Sequence, residues 1–246
     1  MNICVIHQRS IEPSVVEYVK EAVTEVFVLA QNGLEPEINI LGQWDSDDWS
    51  ESISIPVLYR NHELPSVSEK SQLDAEAIMG LINYEFIQKR KYKYALYIVS
   101  EDMYSGKEEN CFLVGASNFL RPAIVSTYRF SQDVIQMNLD EMSSDKKLQR
   151  FVSNTGSTGT KVAELVRIEC IKTVAMHELG HVFGLVPETQ TEDVEDIYGY
   201  HCKKKCVMRQ GLSVPSDWIG HTLDRIESAV FCPRCLGLLK DFLNSL

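Results

Sequence analysis

The stretch His177-Glu178-Leu179-Gly180-His181 constrains this chain more than any other feature. It lies near the end of a segment with apolar residues at Val162, Leu165, Ile168, Ile171, Ala175, Leu179 and Val182, the spacing of one helix face. Residues four apart on a helix share a side, so both imidazoles point the same way and can reach a common atom. Glu178 then lies beside that atom rather than on it, where a proton acceptor for a metal-activated water belongs. The bland alternative is a solvated helix end, where histidines interact well with the dipole. Such a pattern arises by chance in about 1% of chains this long, so the helical context carries the weight. Gly184, three residues beyond His181, stops the helix, and glycine accepts a positive φ at no steric cost.

Cysteine usage is the second constraint. The chain has 246 residues, 44% hydrophobic and 24% charged, enough for a buried core without disulfide staples. Lys plus Arg number 24 against 35 Asp plus Glu, a net charge of -11 that repels phosphate backbones, so no nucleic-acid partner is expected. No apolar run reaches the roughly 18 residues of a membrane span. The opening residues Met1 to His7 lack the basic and long apolar regions of a signal peptide, so a cytoplasmic location is expected. A reducing compartment argues against disulfides, yet there are seven cysteines. Cys4, Cys111 and Cys170 sit singly in apolar surroundings and read as small core residues. Cys202-x3-Cys206 and Cys232-x2-Cys235 read as a zinc site, with a thiol switch as the alternative.

Along the chain, Asn2 to Ile6 is a short apolar strand. Pro13 opens a helix with apolar residues at Val16, Val19, Val23, Phe27 and Ala30, ended by Asn32-Gly33. Glu37 to Leu41 and Ile53 to Tyr59 read as strands around an acidic, tryptophan-bearing loop. A second helix is expected from Ser71, with Asp74 completing a cap, towards Arg90. Tyr94 to Val99, Cys111 to Gly115 and Ala123 to Tyr128 read as strands, the first two as a hairpin-like antiparallel pair. The histidine helix is expected from about Lys161 to Gly184, and a short helix from Leu236 to Leu246. This order implies a mixed sheet with helices packed on it and a break near residue 185, separating a larger N-terminal region, residues 1–184, from a smaller one, residues 185–246. His7, His62 and His221 are isolated, Lys203-Lys204-Lys205 reads as a solvated loop, and Gly156-Ser157-Thr158-Gly159 as a flexible lead-in to the long helix.

Further on, His201-Cys202-Lys203-Lys204-Lys205-Cys206-Val207-Met208 precedes Phe231-Cys232-Pro233-Arg234-Cys235. With the histidine helix and Gly184, these segments resemble the archaemetzincins, a family of metzincin-type zinc peptidases. Shorter likenesses, Asp102-Met103-Tyr104 and Ala123-Ile124-Val125-Ser126, extend the resemblance over about residues 94 to 235. It implies an α+β fold with a mostly parallel five-stranded sheet and a small zinc-stapled C-terminal region. It also implies two zinc ions per chain. His177 and His181 match catalytic zinc ligands, Glu178 the general base, and Met208 the methionine turn beneath the metal. Cys202, Cys206, Cys232 and Cys235 match a structural zinc site, closed because four thiolates saturate the metal.

The chain also departs from that pattern. The family's third histidine falls where this sequence has Pro187, which has no side-chain donor. The next histidine, His201, follows a 14-residue acidic insertion from Pro187 to Tyr200. The first cysteine pair encloses three residues instead of four, and the stretch from Met208 to Cys232 is longer. A catalytic zinc usually has three protein ligands plus water. His201 is the expected third, with Glu188, Asp193 and Asp196 chemically competent. The insertion would then be a surface excursion, tolerable because loop closure entropy grows slowly with length. The expected function is zinc-dependent hydrolysis of a peptide or protein substrate, with an edge strand near Cys111 to Gly115 holding an extended chain. The alternatives are a zinc-binding module that binds a peptide or partner without cutting it, and an interaction protein in which only the cysteines hold zinc.

Overall fold

The computed structural model describes residues 2–30, 36–45, 48, 59–64, 67–105, 112–117, 122–197 and 199–246. The helix stop at Asn32-Gly33, most of the strand at Ile53 to Tyr59 and the residue Cys111 lie outside them.

Strand β1 (Asn2–His7) sits inside a sheet of five, with order β2-β1-β5-β8-β7. It pairs parallel with β2 (Glu37–Gln43) and with β5 (Tyr94–Val99). β5 pairs parallel with β8 (Ala123–Ser126), and β7 (Gly115–Ser117) closes one edge antiparallel to β8. The sheet is therefore mostly parallel, as the family resemblance implied. Its inner strands are apolar on both faces because helices cover both. Ile3 and Val5 face one cluster, while Cys4 and Ile6 face the other. Helix α1 (Pro13–Ala30) packs on the first face through Val19, Val23 and Phe27. The second face carries α2 (Ala75–Ile82) and the π-helix Asn83–Lys89, through Ile78, Ile82 and Phe86.

Two expectations need correction here. The second helix starts at Ala75, not Ser71, because Asp74 is the residue that caps it, accepting from the Ala77 amide at 3.1 Å. The residues before it belong to a strand instead. β3 (Tyr59–Leu64), β4 (Val67–Asp74) and β6 (Met103–Tyr104) form a separate three-stranded sheet, with Leu73 opposite Met103. The antiparallel hairpin of Tyr94–Val99 with Cys111–Gly115 is also not formed. The strand starts at Gly115 and pairs with β8, while Leu113 bridges Met103. β5 instead has parallel partners on both sides, β1 and β8.

Helices α3 (Gln132–Glu141) and α4 (Lys146–Thr155) then lead into α5 (Thr160–Val182). β9 (Val194–Asp196) and β10 (Tyr200–Cys202) form a hairpin, followed by α6 (Ser216–Glu227) and α7 (Pro233–Asn244). Leu239 and Leu243 of α7 join the same core cluster as α1 and α5, and Phe242 stacks on Phe183 with ring centres 5.5 Å apart. Among the described residues, no helix is long and apolar enough to cross a membrane.

Candidate metal centre

Helix α5 is buried along most of its length, so its last turn is held rigidly. That turn places the Nε2 atoms of His177 and His181 3.1 Å apart. Gly184 then reverses the chain at φ +73°, and the amides of Gly184 and Leu185 cap the carbonyls of His181 and Gly180 at 2.9 Å each. The chain leaves along the mainly exposed insertion and returns through the β9–β10 hairpin. There β10 delivers His201, whose ring centre stands 5.2 Å from that of His177 and 5.0 Å from that of His181. One ligand atom from each of the three lies within 4.8 Å of the others. Glu188, Asp193 and Asp196 are not in this group. Glu188 and Asp196 are exposed, and Asp193 pairs with Lys204 at 3.0 Å.

The protonation state of two of these histidines can be read from their partners. Nδ1 of His177 lies 2.7 Å from the Val207 carbonyl, and Nδ1 of His201 lies 2.9 Å from the Gly199 carbonyl. A carbonyl only accepts, so Nδ1 carries a hydrogen, and in the neutral ring Nε2 keeps its lone pair. Burial, followed by the neighbouring histidines, pushes His177 well below its ordinary value. Burial and His201 take His181 down to about 3, and burial lowers His201 as well. All three are thus neutral imidazoles, the form that binds metal. A tetrahedral zinc with bonds of about 2.0–2.1 Å spaces its nitrogens by about 3.3 Å, close to the 3.1 Å between His177 and His181.

Glu178 reaches β7. Its Oε2 accepts the Ser117 hydroxyl at 2.6 Å. Its Oε1 occupies the space beside Gly115, where a Cβ would come within 2.3 Å. Burial raises the carboxyl to about 7, against the opposing pull of the Ser117 hydrogen bond. A group near neutrality can both take and return a proton. Met208 lies fully buried against the same helix turn, its Sδ where a Cβ on Gly180 would approach to 2.2 Å.

The four paired cysteines also converge, all buried and within 4.8 Å of one another. Sγ of Cys202 and Sγ of Cys232 are 3.8 Å apart, the edge of a tetrahedron with zinc–sulfur bonds of about 2.3 Å. Backbone amides of Lys204 and Cys232 donate to Cys202 and Cys206 at 3.4 and 3.3 Å. Hydrogen bonds from Cys206 and Cys235 pull Cys202 down towards the thiolate. Cys232 caps α7 and Cys235 sits in its first turn. Cys4 and Cys170 are buried apart from this group, as core residues.

The histidine group opens on a cleft of about 1350 Å³, whose lining includes β7 and Gln210, Leu212, Trp218 and Phe242. Several of its features are not visible in the sequence. Ser117, Gly115 and Gly180 act through fit, and Val207 and Gly199 through backbone carbonyls, which carry no residue signature. Trp218 packs edge-on to His177 at 5.2 Å. Its helix, α6, escapes sequence reasoning because polar His221, Asp224 and Arg225 turn inward and break the apolar period. His221, isolated in sequence, ties Gln210 of the cleft wall at 2.9 Å and receives Arg209.

No family model and no curated protein matches this sequence. Among solved structures, the chain is similar to the crystal structure of archaemetzincin from Methanopyrus kandleri, at 21% identity and a TM-score of 0.55, covering 99% of this chain and 96% of that one. It is also similar to archaemetzincin from Archaeoglobus fulgidus complexed with malonate, at 17% identity and a TM-score of 0.51, covering 97% and 99%. At these identities the likeness establishes the fold, so the chain has an archaemetzincin-like fold over essentially its whole length.

Proposed function

We propose that this chain is a zinc-dependent peptidase acting on a peptide or protein substrate. The observation that carries the reading is the convergence of three neutral imidazoles beside a buried carboxyl, on a cleft with an edge strand. His177, His181 and His201 would hold the catalytic zinc, and Cys202, Cys206, Cys232 and Cys235 a second, structural one. A zinc held by the histidines supplies a Lewis acid for a carbonyl and lowers the pKa of water to about 7. Glu178 accepts the proton of the attacking water and returns it to the leaving amine, with Ser117 holding the carboxylate in place. β7 pairs only with β8 among the described residues, so its free edge can take an extended substrate by strand addition. Residues 1–184 supply the sheet, two histidines and the base, while residues 185–246 supply the third histidine and the thiols. Four free thiols as ligands agree with a cytoplasmic location.

A fluorogenic peptide library tests the reading. The native chain loaded with two zinc ions should cut some members, and Glu178→Gln, with its zinc retained, should cut none. Equal cleavage by the variant removes Glu178 as the base. No cleavage by the native chain, with peptides bound but intact, favours the non-catalytic binding module.

A further inference from the structure

The thiol cluster shares its backbone with the histidine site. His201 and Cys202 are consecutive on β10. Successive side chains of a strand leave opposite faces, and their Cα atoms are fixed about 3.8 Å apart. One side chain therefore faces the cleft while the next faces the thiols. On the far side of the loop, Cys206 precedes Val207, whose carbonyl orients His177 at 2.7 Å. The Val207 amide donates to the Val230 carbonyl at 2.8 Å, two residues before Cys232. Next comes Met208, which packs against Gly180 and whose carbonyl accepts the Cys202 amide at 2.8 Å. The third imidazole, the carbonyl that sets the first one's tautomer and the buried support of the helix turn all lie within two residues of a thiol.

We infer that the two metal sites are thermodynamically linked, so that filling the four-cysteine site raises the metal affinity of the histidine site. A metal on the thiols fixes Cys202 and Cys206, and through them the positions of His201 and Val207. With the thiols empty, two histidines remain on α5, but the third and the orienting carbonyl ride on a loop whose closure is lost. Linkage is reciprocal, so a metal on the histidines tightens the thiol site by the same factor. The inference rests on the ligand assignment proposed above and needs no turnover.

Cobalt(II) tests it, because thiolate charge-transfer bands and histidine-site visible bands report the two sites separately in one full-length chain. In Cys235→Ser the histidine-site Kd should rise about tenfold or more, the loss typical of an outer-shell partner, while the helical circular dichroism is kept. A folded variant with an empty thiol site and a histidine-site Kd within about twofold of the native one overturns the linkage. Should Cys235→Ser fail to fold, the reciprocal measurement decides. In His181→Ala, cobalt on the thiols should pass to a chelator about tenfold more readily than in the native chain with both sites filled, and an equal affinity overturns the inference. A chain that shows the linkage but cuts no peptide removes the peptidase reading alone, and an active chain without linkage removes only this one.

Discussion

Gly180→Ala sets two known quantities against each other inside the histidine helix. Gly180 lies within α5, where alanine is favoured over glycine by about 0.5–1 kcal/mol. A Cβ at that position would stand 2.2 Å from Met208 Sδ and 2.9 Å from its Cε. Both atoms belong to a side chain with no exposure, so it cannot swing into solvent. Overpacking of that kind costs about 1–3 kcal/mol, which leaves a net destabilisation of about 0–2.5 kcal/mol. For a chain of this size each kcal/mol lowers Tm by about 2–4 °C. Gly80→Ala is the matched control, since Gly80 sits in α2 with nothing within 4 Å of an added Cβ. It should gain the helix preference alone and raise Tm. Thermal melts of both variants, with both metals bound, separate the terms: the expected gap between them is about 1–3 kcal/mol. If Gly180→Ala gains as much stability as Gly80→Ala, Met208 is not packed where the structure puts it, and its support of the site falls with it.

Ser117→Ala should lower kcat by tenfold or more with metal content unchanged, since a hydrogen bond to a charged group contributes about 1.5–3 kcal/mol; an unaltered kcat would show that Glu178 needs no such support. His201→Ala should reduce bound zinc from two to one per chain by elemental analysis, and retention of two would hand the third position to another ligand. Arg225→Ala should destabilise by about 1.5–3 kcal/mol in urea unfolding, because it removes the charge-assisted hydrogen bonds of a buried guanidinium to Glu169 and Thr173; a loss below about 1 kcal/mol would count against that network. Gly115→Ala should impair turnover more than folding, because its Cβ would strike the Glu178 carboxyl; kinetics and melts on one preparation compare the two.

The elements legible in the sequence are those whose apolar residues follow one period. β1, α1, β5, β8 and α5 bury a face or a whole circumference, and burial leaves its mark on residue choice. Helices α3, α4 and α6 leave little mark. α4 buries only Leu148, yet its ends carry signals: Asp145 accepts two amides at the start, and Gly156 adopts φ +62° at the finish. The apolar residues between them, Leu148, Phe151 and Val152, span little more than one turn, and Gly156 reads in the sequence only as the start of a loop leading to α5. The proposed ligand residues are legible because donor chemistry restricts them to a few types. The groups that orient them are not, since a carbonyl from Val207 or Gly199 could come from any residue. The hairpin formed by the insertion is hidden as well, because its strands are three residues each, too short to show a two-residue period, even though Cys202 is buried and Val194 and Tyr200 pack on the core.

His177 and His181 sit on a helix enclosed by core, whereas His201, itself buried, lies on a two-stranded ribbon whose other strand, β9, is half-exposed. Local opening is easiest where few apolar contacts and exposed backbone hydrogen bonds hold a segment. Amides along the end of α5 should therefore exchange with solvent only on near-global opening, and those of Val194 to Asp196 far sooner. Ligand detachment then has a direction in time. Escape of a bound ion would begin at the ribbon, with two nitrogens still in place to recapture it.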